Sequence, residues 1–334
     1  MAINKDVEIQ RWDSLSQLCN WRTLLLGNGF SVNIWPKFDY KNLLVTANLS
    51  TTVQGLFSRL ETTDFESVLS ELQRAVAVDQ SFDINPELLS KAYKEIKEKL
   101  FDAIENTHVQ YHMIPPELFE DLQKEIWSFD HVFVTNYDRL VYWILMHNFN
   151  PPHPRSKDFM WNMPPTFNIY DVEPNPDQAA LIYYPHGALH LWRDEMTGEE
   201  GKISRKVEYL LPDFRNEHFG ETRRPLFVSE GSSASKTKAI LNSRYLTFCL
   251  ESLEKNAGNT VVFGHSMSDQ DDHIVQALQA GESRRIAISV FLDHDRSKPQ
   301  QKIHEIQGKL SSHDLFFFDS TTHPLGKREY EVST

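Results

Sequence analysis

The stretch Leu24-Leu25-Leu26-Gly27-Asn28-Gly29-Phe30-Ser31 constrains the fold of this chain more than any other. A run of leucines suits a strand buried on both faces, and two glycines one residue apart end it in a turn. Gly27 and Gly29 are expected to take positive φ and to let backbone N–H groups approach an anion such as a phosphate. The same residues also suit a plain tight turn after a core strand. The pattern departs from the dinucleotide fingerprint of hydride-transfer enzymes. Val32 stands where the third glycine belongs, and Ala47 and Asn48 stand about 20 residues on, where an acidic ribose partner is expected. The turn therefore points to a nucleotide and away from ordinary hydride transfer.

Further strands are predicted at Val132 to Val134, Ile182 to Tyr184, Val261 to Phe263 and Ile286 to Phe291, with a last one at Leu315 to Phe318. Residues 64–128 read as mostly helical. Phe65, Val68, Leu69 and Leu72 recur at helical spacing, as do Leu89, Tyr93, Ile96 and Leu100, and Asp64 is placed to cap the first helix. Other helices are expected at Ser14 to Trp21, Leu118 to Trp127, Arg139 to His147, Lys238 to Asn256, Ile274 to Ala280 and Gln300 to Leu310. From Asn150 to Glu173 the chain is rich in Pro, Asn and aromatics and reads as irregular. Thr197 to Pro225 is charged and turn-rich. Alternating strands and helices give an α/β fold class: a doubly wound, Rossmann-like parallel sheet with its ligand at the strands' carboxyl ends. The expected organisation is one domain over 1–334, with a helical insertion over 50–128 and a small irregular lobe over 150–225.

With 334 residues, 40% apolar and 24% charged, the chain has the composition of a folded soluble protein. A net charge of −13 speaks against free nucleic acid or an anionic membrane as the main partner. The only cysteines, Cys19 and Cys249, cannot build a four-cysteine zinc site, so no structural metal is expected. The N-terminus lacks the basic-then-apolar order of a signal peptide. The longest apolar run, Leu140 to Met146, is far too short to cross a bilayer. A cytoplasmic location is expected.

Four strand-end motifs carry the chemistry: Gly27-Asn28-Gly29-Phe30-Ser31, Thr135-Asn136-Tyr137-Asp138, His186-Gly187 and Gly264-His265-Ser266. Each has a bland reading. Asn136 and Asp138 suit a helix cap, His186 suits a core or turn position, and Ser268 or Asp269 suits the cap of the next helix. In a parallel sheet, however, strand ends converge, and four polar ends favour a shared pocket. The pairs His186/His190 and His108/His112 lack the intervening glutamate of a zinc-protease helix. Asp269, Asp271, Asp272 and His273 suit either a metal ion or a solvated helix start, and the latter is the expectation.

In order and content these motifs resemble the sirtuin superfamily, and more closely its bacterial sirtuin-like NAD-hydrolase branch. The glycine turn, the Asn-x-Asp strand end, the histidine before glycine and the late Gly-x-Ser turn are similar to sirtuin motifs. Asp64-Phe65-Glu66 and Ser266-Met267-Ser268-Asp269 with Ile274 are similar to the sirtuin-like branch. The resemblance spans roughly residues 20 to 295. The zinc module that accompanies deacylation in sirtuins has no counterpart, so deacylation is not expected.

The resemblance implies an NAD glycohydrolase with NAD as substrate, no permanently bound cofactor, and a role in antiphage defence. The implied catalytic set is Asn136, Asp138 and His186. Asn136 would hold the ribose or a water, Asp138 would accept from the nicotinamide carboxamide, and His186 would act as general base. Gly27, Asn28, Gly29, Phe30 and Ser31 would meet the pyrophosphate, and Gly264, Ser266 and Asp269 the adenosine half. Expected partners are NAD and an activating protein or second copy of the chain, not nucleic acid or membrane. The alternative is a catalytically silent nucleotide-binding or docking module on the same fold.

Overall fold

A computed structural model describes residues 7–148, 155–171, 179–203, 222–292 and 297–332. Its strands are β1 (Ile9–Gln10), β2 (Thr23–Leu26), β3 (His131–Val134), β4 (Ser156–Lys157), β5 (Ala180–Tyr183), β6 (Gly187–Asp194), β7 (Glu200–Lys202), β8 (Arg223–Phe227), β9 (Thr260–Phe263), β10 (Arg285–Val290) and β11 (Asp314–Asp319). The first helices are α1 (Trp12–Ser16), α2 (Asn28–Ile34), α3 (Tyr40–Thr46), α4 (Thr51–Arg59), α5 (Phe65–Ser81) and α6 (Glu87–Thr107). They are followed by α7 (Pro116–Ile126), α8 (Leu140–Met146), α9 (Ser233–Leu241), α10 (Arg244–Glu254), α11 (Asp272–Gln279) and α12 (Ser297–Lys309).

Eight strands form one parallel sheet in the order β1-β11-β10-β9-β2-β3-β5-β4. The middle strand β2 has every residue buried, as its unbroken apolar run requires. From β2 the chain winds outward through β3 and β5, then returns to the other side as β9, β10 and β11. The winding therefore reverses between β2 and β9. At such a switch point the loops leaving the two strands part in opposite directions and open a crevice beyond their carboxyl ends. The register sets Leu26 beside both Val134 and Phe263, so three polar strand ends leave the sheet at one level.

The five strands expected to be neighbours are consecutive in this sheet. Residues 64–128 are mostly helical, and Asp64 caps α5 by accepting from the Glu66 amide at 3.0 Å. The expected helix from Lys238 to Asn256 is two helices. Ser243 stops the first and caps the second, accepting from the Leu246 amide at 3.1 Å. The expected irregular lobe also contains regular structure. After His186 the chain forms an antiparallel sheet in the order β7-β6-β8. Residues 204–221, most of the charged stretch, lie outside the described residues, as do 149–154 and 172–178 of the lobe. No described helix is long and apolar enough to cross a membrane.

Candidate active site

A cavity of about 1130 Å³ opens at the carboxyl ends of the strands, over the switch point. Asn28, Gly29, Asn136, Asp138, His186, Gly264 and Ser266 all line it. All four motifs singled out in the sequence thus reach one space.

The turns after β2 and β9 pack backbone against backbone. The Gly27 amide donates to the Phe263 carbonyl at 2.9 Å, and the Gly29 amide to the Gly264 carbonyl at 2.8 Å. A Cβ on Gly27 would sit 2.5 Å from His265 Cα. These glycines serve close approach, not positive φ as expected: Gly27 has φ −114°, and Gly29 lies in helix α2. Two of the amides expected to face an anion are already used. Phe30 is fully buried in the core, and Ser31 is fully buried beneath the cavity floor.

Ser31 organises the Asn-x-Asp motif. Its hydroxyl donates to Asp138 Oδ2 at 2.6 Å, so its oxygen accepts from Asn136 Nδ2 at 2.7 Å. That contact fixes the orientation of the Asn136 amide. Asn136 is 3% exposed, and its Oδ1 is buried without a protein partner. Asp138 also accepts from the Leu140 amide at 2.8 Å, but the N-cap of α8 is Arg139, so neither Asn136 nor Asp138 is the helix cap itself. Burial raises the Asp138 pKa, while Ser31 and the Leu140 amide hold it down.

His186 ends the turn after β5. Gly187 behind it has φ +72°, and a Cβ there would lie 2.1 Å from the Leu226 carbonyl oxygen. Only glycine joins His186 to β6 at this spacing. His186 is 2% exposed, and its Nε2 lies 2.7 Å from His273 Nε2. Burial pushes its pKa well below the ordinary value, Asp271 opposes that shift, and Lys236 reinforces it. The imidazole is therefore neutral at pH 7.

Behind His186 lies a buried ionic cluster the sequence reading did not assemble. Lys236 Nζ is 2.7 Å from both Glu66 Oε2 and Asp271 Oδ1. Tyr137 donates its phenol to Glu66 Oε1 at 2.9 Å. Asp271 Oδ1 is 3.8 Å from His186 Nε2, and Asp271 Oδ2 is 3.6 Å from His265 Nε2. Burial opposes the charge on Lys236, but Glu66 and Asp271 outweigh it and raise its pKa. Burial raises Glu66 in spite of Lys236. Burial would also raise Asp271, but Lys236 and the histidines hold it far below the usual carboxylate range.

The expectation of a solvated helix start is thus overturned for Asp271 and His273, whose side chains turn into the cluster. It holds for Asp269, whose carboxylate is 91% exposed and pairs with Lys309 at 2.6 Å, away from the cavity lining. His186, Asp271 and His273 offer ligand atoms within 4.8 Å of one another. Two nitrogens on one zinc ion, each about 2.0–2.1 Å from it, would stand ~3.3 Å apart at a tetrahedral angle. The pair here is at hydrogen-bond distance, and an ammonium already occupies Asp271, so these residues fit a hydrogen-bonded network better than a dication. His190 is packing, 1% exposed and stacked on Tyr142. The cavity lining also includes two cations that no motif announced, Lys302 and Arg328.

A doubly wound parallel sheet with a cleft at its switch point is a Rossmann-like α/β architecture. The chain belongs to the family described as a domain of unknown function (DUF4917), which matches residues 24–325. No curated protein matches it.

Proposed function

We propose that the chain is an NAD glycohydrolase that cleaves the bond between nicotinamide and ribose. The observation that carries this reading is the Asn136 amide. Its oxygen is buried and without a protein partner, on a residue that lines the same cavity as the neutral His186. A buried acceptor left unpaired costs free energy, and a ribose hydroxyl or a held water satisfies it. Nicotinamide is a cationic leaving group, and its C1′–N bond breaks through an oxocarbenium-like state. Asn136 holds the ribose or the water. His186 takes the proton as water attacks C1′, and the bond's electron pair leaves with nicotinamide, giving ADP-ribose. Asp138 holds Ser31, and so Asn136, in place; its remaining lone pairs suit the carboxamide. The volume suits a dinucleotide, and Asn28, Lys302 and Arg328 offer polar and cationic contacts for its pyrophosphate. In a bacterial cell this activity depletes NAD, the outcome that the defence role implied by the resemblance requires.

Free nicotinamide released from NAD by the purified protein tests the proposal, alone and with a phage-derived activator. His186→Ala and Asn136→Ala are each expected to lower release by about 10²–10⁴-fold, with NAD binding weakened less. NAD bound equally by all three proteins, with no release from any of them, would instead favour the silent nucleotide-binding module.

A further inference from the structure

The ring of His186 is tied on one side to protein groups that do not meet substrate. Its Nε2 lies 2.7 Å from His273 Nε2. Beyond it, His273 Nδ1 is 3.2 Å from Ser233 Oγ, and the His273 backbone amide donates to that same oxygen at 2.9 Å. We infer that His273, anchored by Ser233, is a positioning residue that fixes His186 in the tautomer with its lone pair on Nδ1. This rests on the glycohydrolase reading, in which that lone pair takes the proton of the attacking water.

A contact between two imidazole nitrogens at this distance needs one donor and one acceptor. Ser233 Oγ has two lone pairs and already accepts one N–H from His273 at the start of α11. The Asp271 carboxylate oxygen 3.8 Å from His186 Nε2 favours a proton on that nitrogen, which leaves the His273 proton on Nδ1, where the second lone pair of Ser233 Oγ accepts it. His273 Nε2 is then the acceptor, and His186 donates from Nε2. The neutral His186 ring keeps its lone pair on Nδ1. An oriented base is how nucleophile–base–orienter arrangements work in general: the third group selects the tautomer and does not itself take the proton. When water attacks C1′, the O–H bond breaks and its proton goes to His186 Nδ1, while the Nε2–H bond to His273 remains. The imidazolium so formed faces Asp271 at 3.8 Å, with Lys236 bound to that same carboxylate oxygen. The charged and titratable groups acting on His273 are Asp271, Lys236, His265 and Asp272, besides His186 itself.

Two variants separate orientation from packing. His273→Gln keeps an amide oxygen that accepts from His186 Nε2–H, and His273→Leu keeps bulk but no acceptor. The first readout is nitrogen NMR of histidine-labelled protein, with His186 assigned from the His186→Ala spectrum. We expect His186 protonated on Nε2 in the native chain and in His273→Gln, and a tautomer mixture in His273→Leu. The second readout is nicotinamide release against pH. His273→Leu is expected to lose about tenfold or more in kcat with little change in KM and a displaced acid limb. His273→Gln is expected to recover most of kcat and the native acid limb. Native His186 protonated on Nδ1 would overturn the assignment. So would a folded His273→Leu protein with native kcat and acid limb. If the native chain releases no nicotinamide, the glycohydrolase reading fails, while the NMR result still decides the tautomer.

Discussion

Lys236 shows what a single residue does at this site. It is 1% exposed and bridges Glu66 and Asp271, which come from opposite ends of the sequence. Removing the ammonium leaves two buried carboxylates facing each other without a cation. Breaking a buried pair in this way typically costs about 3–5 kcal/mol, because the remaining charges are uncompensated. Lys236→Ala is therefore expected to lose about that much in urea unfolding, and a loss within the scatter of surface variants would show that water already screens the cluster. The sequence hid this residue for a physical reason. Lys236 lies in Ser232-Ser233-Ala234-Ser235-Lys236, a polar stretch that resembles any solvated helix start, and its partner Glu66 lies 170 residues away. Asn136, Asp138 and His186 were legible because each sits at the end of an apolar run, where a polar residue is conspicuous. Asp271 and His273 looked like capping residues because helix starts attract such residues, and only the fold turns these two inward.

Elements were legible where one apolar run meant one strand, and less so where neighbours decide. β2, β3, β5, β9 and β10 are runs buried on both faces, so composition announced them. β1 and β4 are two residues long, too short for any periodicity, and exist because an edge strand offers them partners. β6 begins directly after the His186 turn, and its pairing with β7 and β8 is tertiary. The glycine turn was read correctly as special, but for the wrong conformational reason. The distinction is measurable. Gly27→Val places atoms against the backbone of the β9 turn, which cannot swing aside as a flexible side chain can. It is expected to lower the melting temperature sharply, besides weakening NAD binding. Gly55, inside α4, has nothing within 4 Å of its added Cβ. Gly55→Ala is expected to stabilise by roughly 0.5–1 kcal/mol through helix propensity and reduced unfolded-state entropy. Equal effects from the two substitutions would refute the close-approach argument.

The whole molecule carries a titration signature set by its buried histidines. Burial lowers His108 and His323 to about 3 and His273 to about 4, from an ordinary value of 6.5. His186, His190 and His265 are lowered as well, chiefly by burial. Their neutral rings are built into the fold. The His108 ring contacts the Val109 carbonyl at 2.9 Å and accepts from the Arg139 amide at 3.0 Å, beside the Asn-x-Asp motif. Because the folded values are depressed, these histidines contribute full stability above the unfolded value near 6.5. Below it the unfolded chain binds protons that the folded chain refuses, so stability falls as pH drops toward the folded values. Glu66 acts in the opposite direction, since burial raises it and its protonation favours the folded state on acidification. Burial lowers His131 and His313 too and raises Glu125 and Asp138, so among the described residues eight lowered histidines outweigh three raised carboxyls, and the net slope between pH 6.5 and 5 is destabilising on acidification. Melting temperature followed from pH 8 to pH 5 is expected to hold level above about 7 and then fall. His323 lies far from the cluster, packed against Trp12 and Phe318. A melting temperature unchanged or raised at pH 5 would mean that these rings are not held neutral. It would also remove the neutral His186 on which the base chemistry depends.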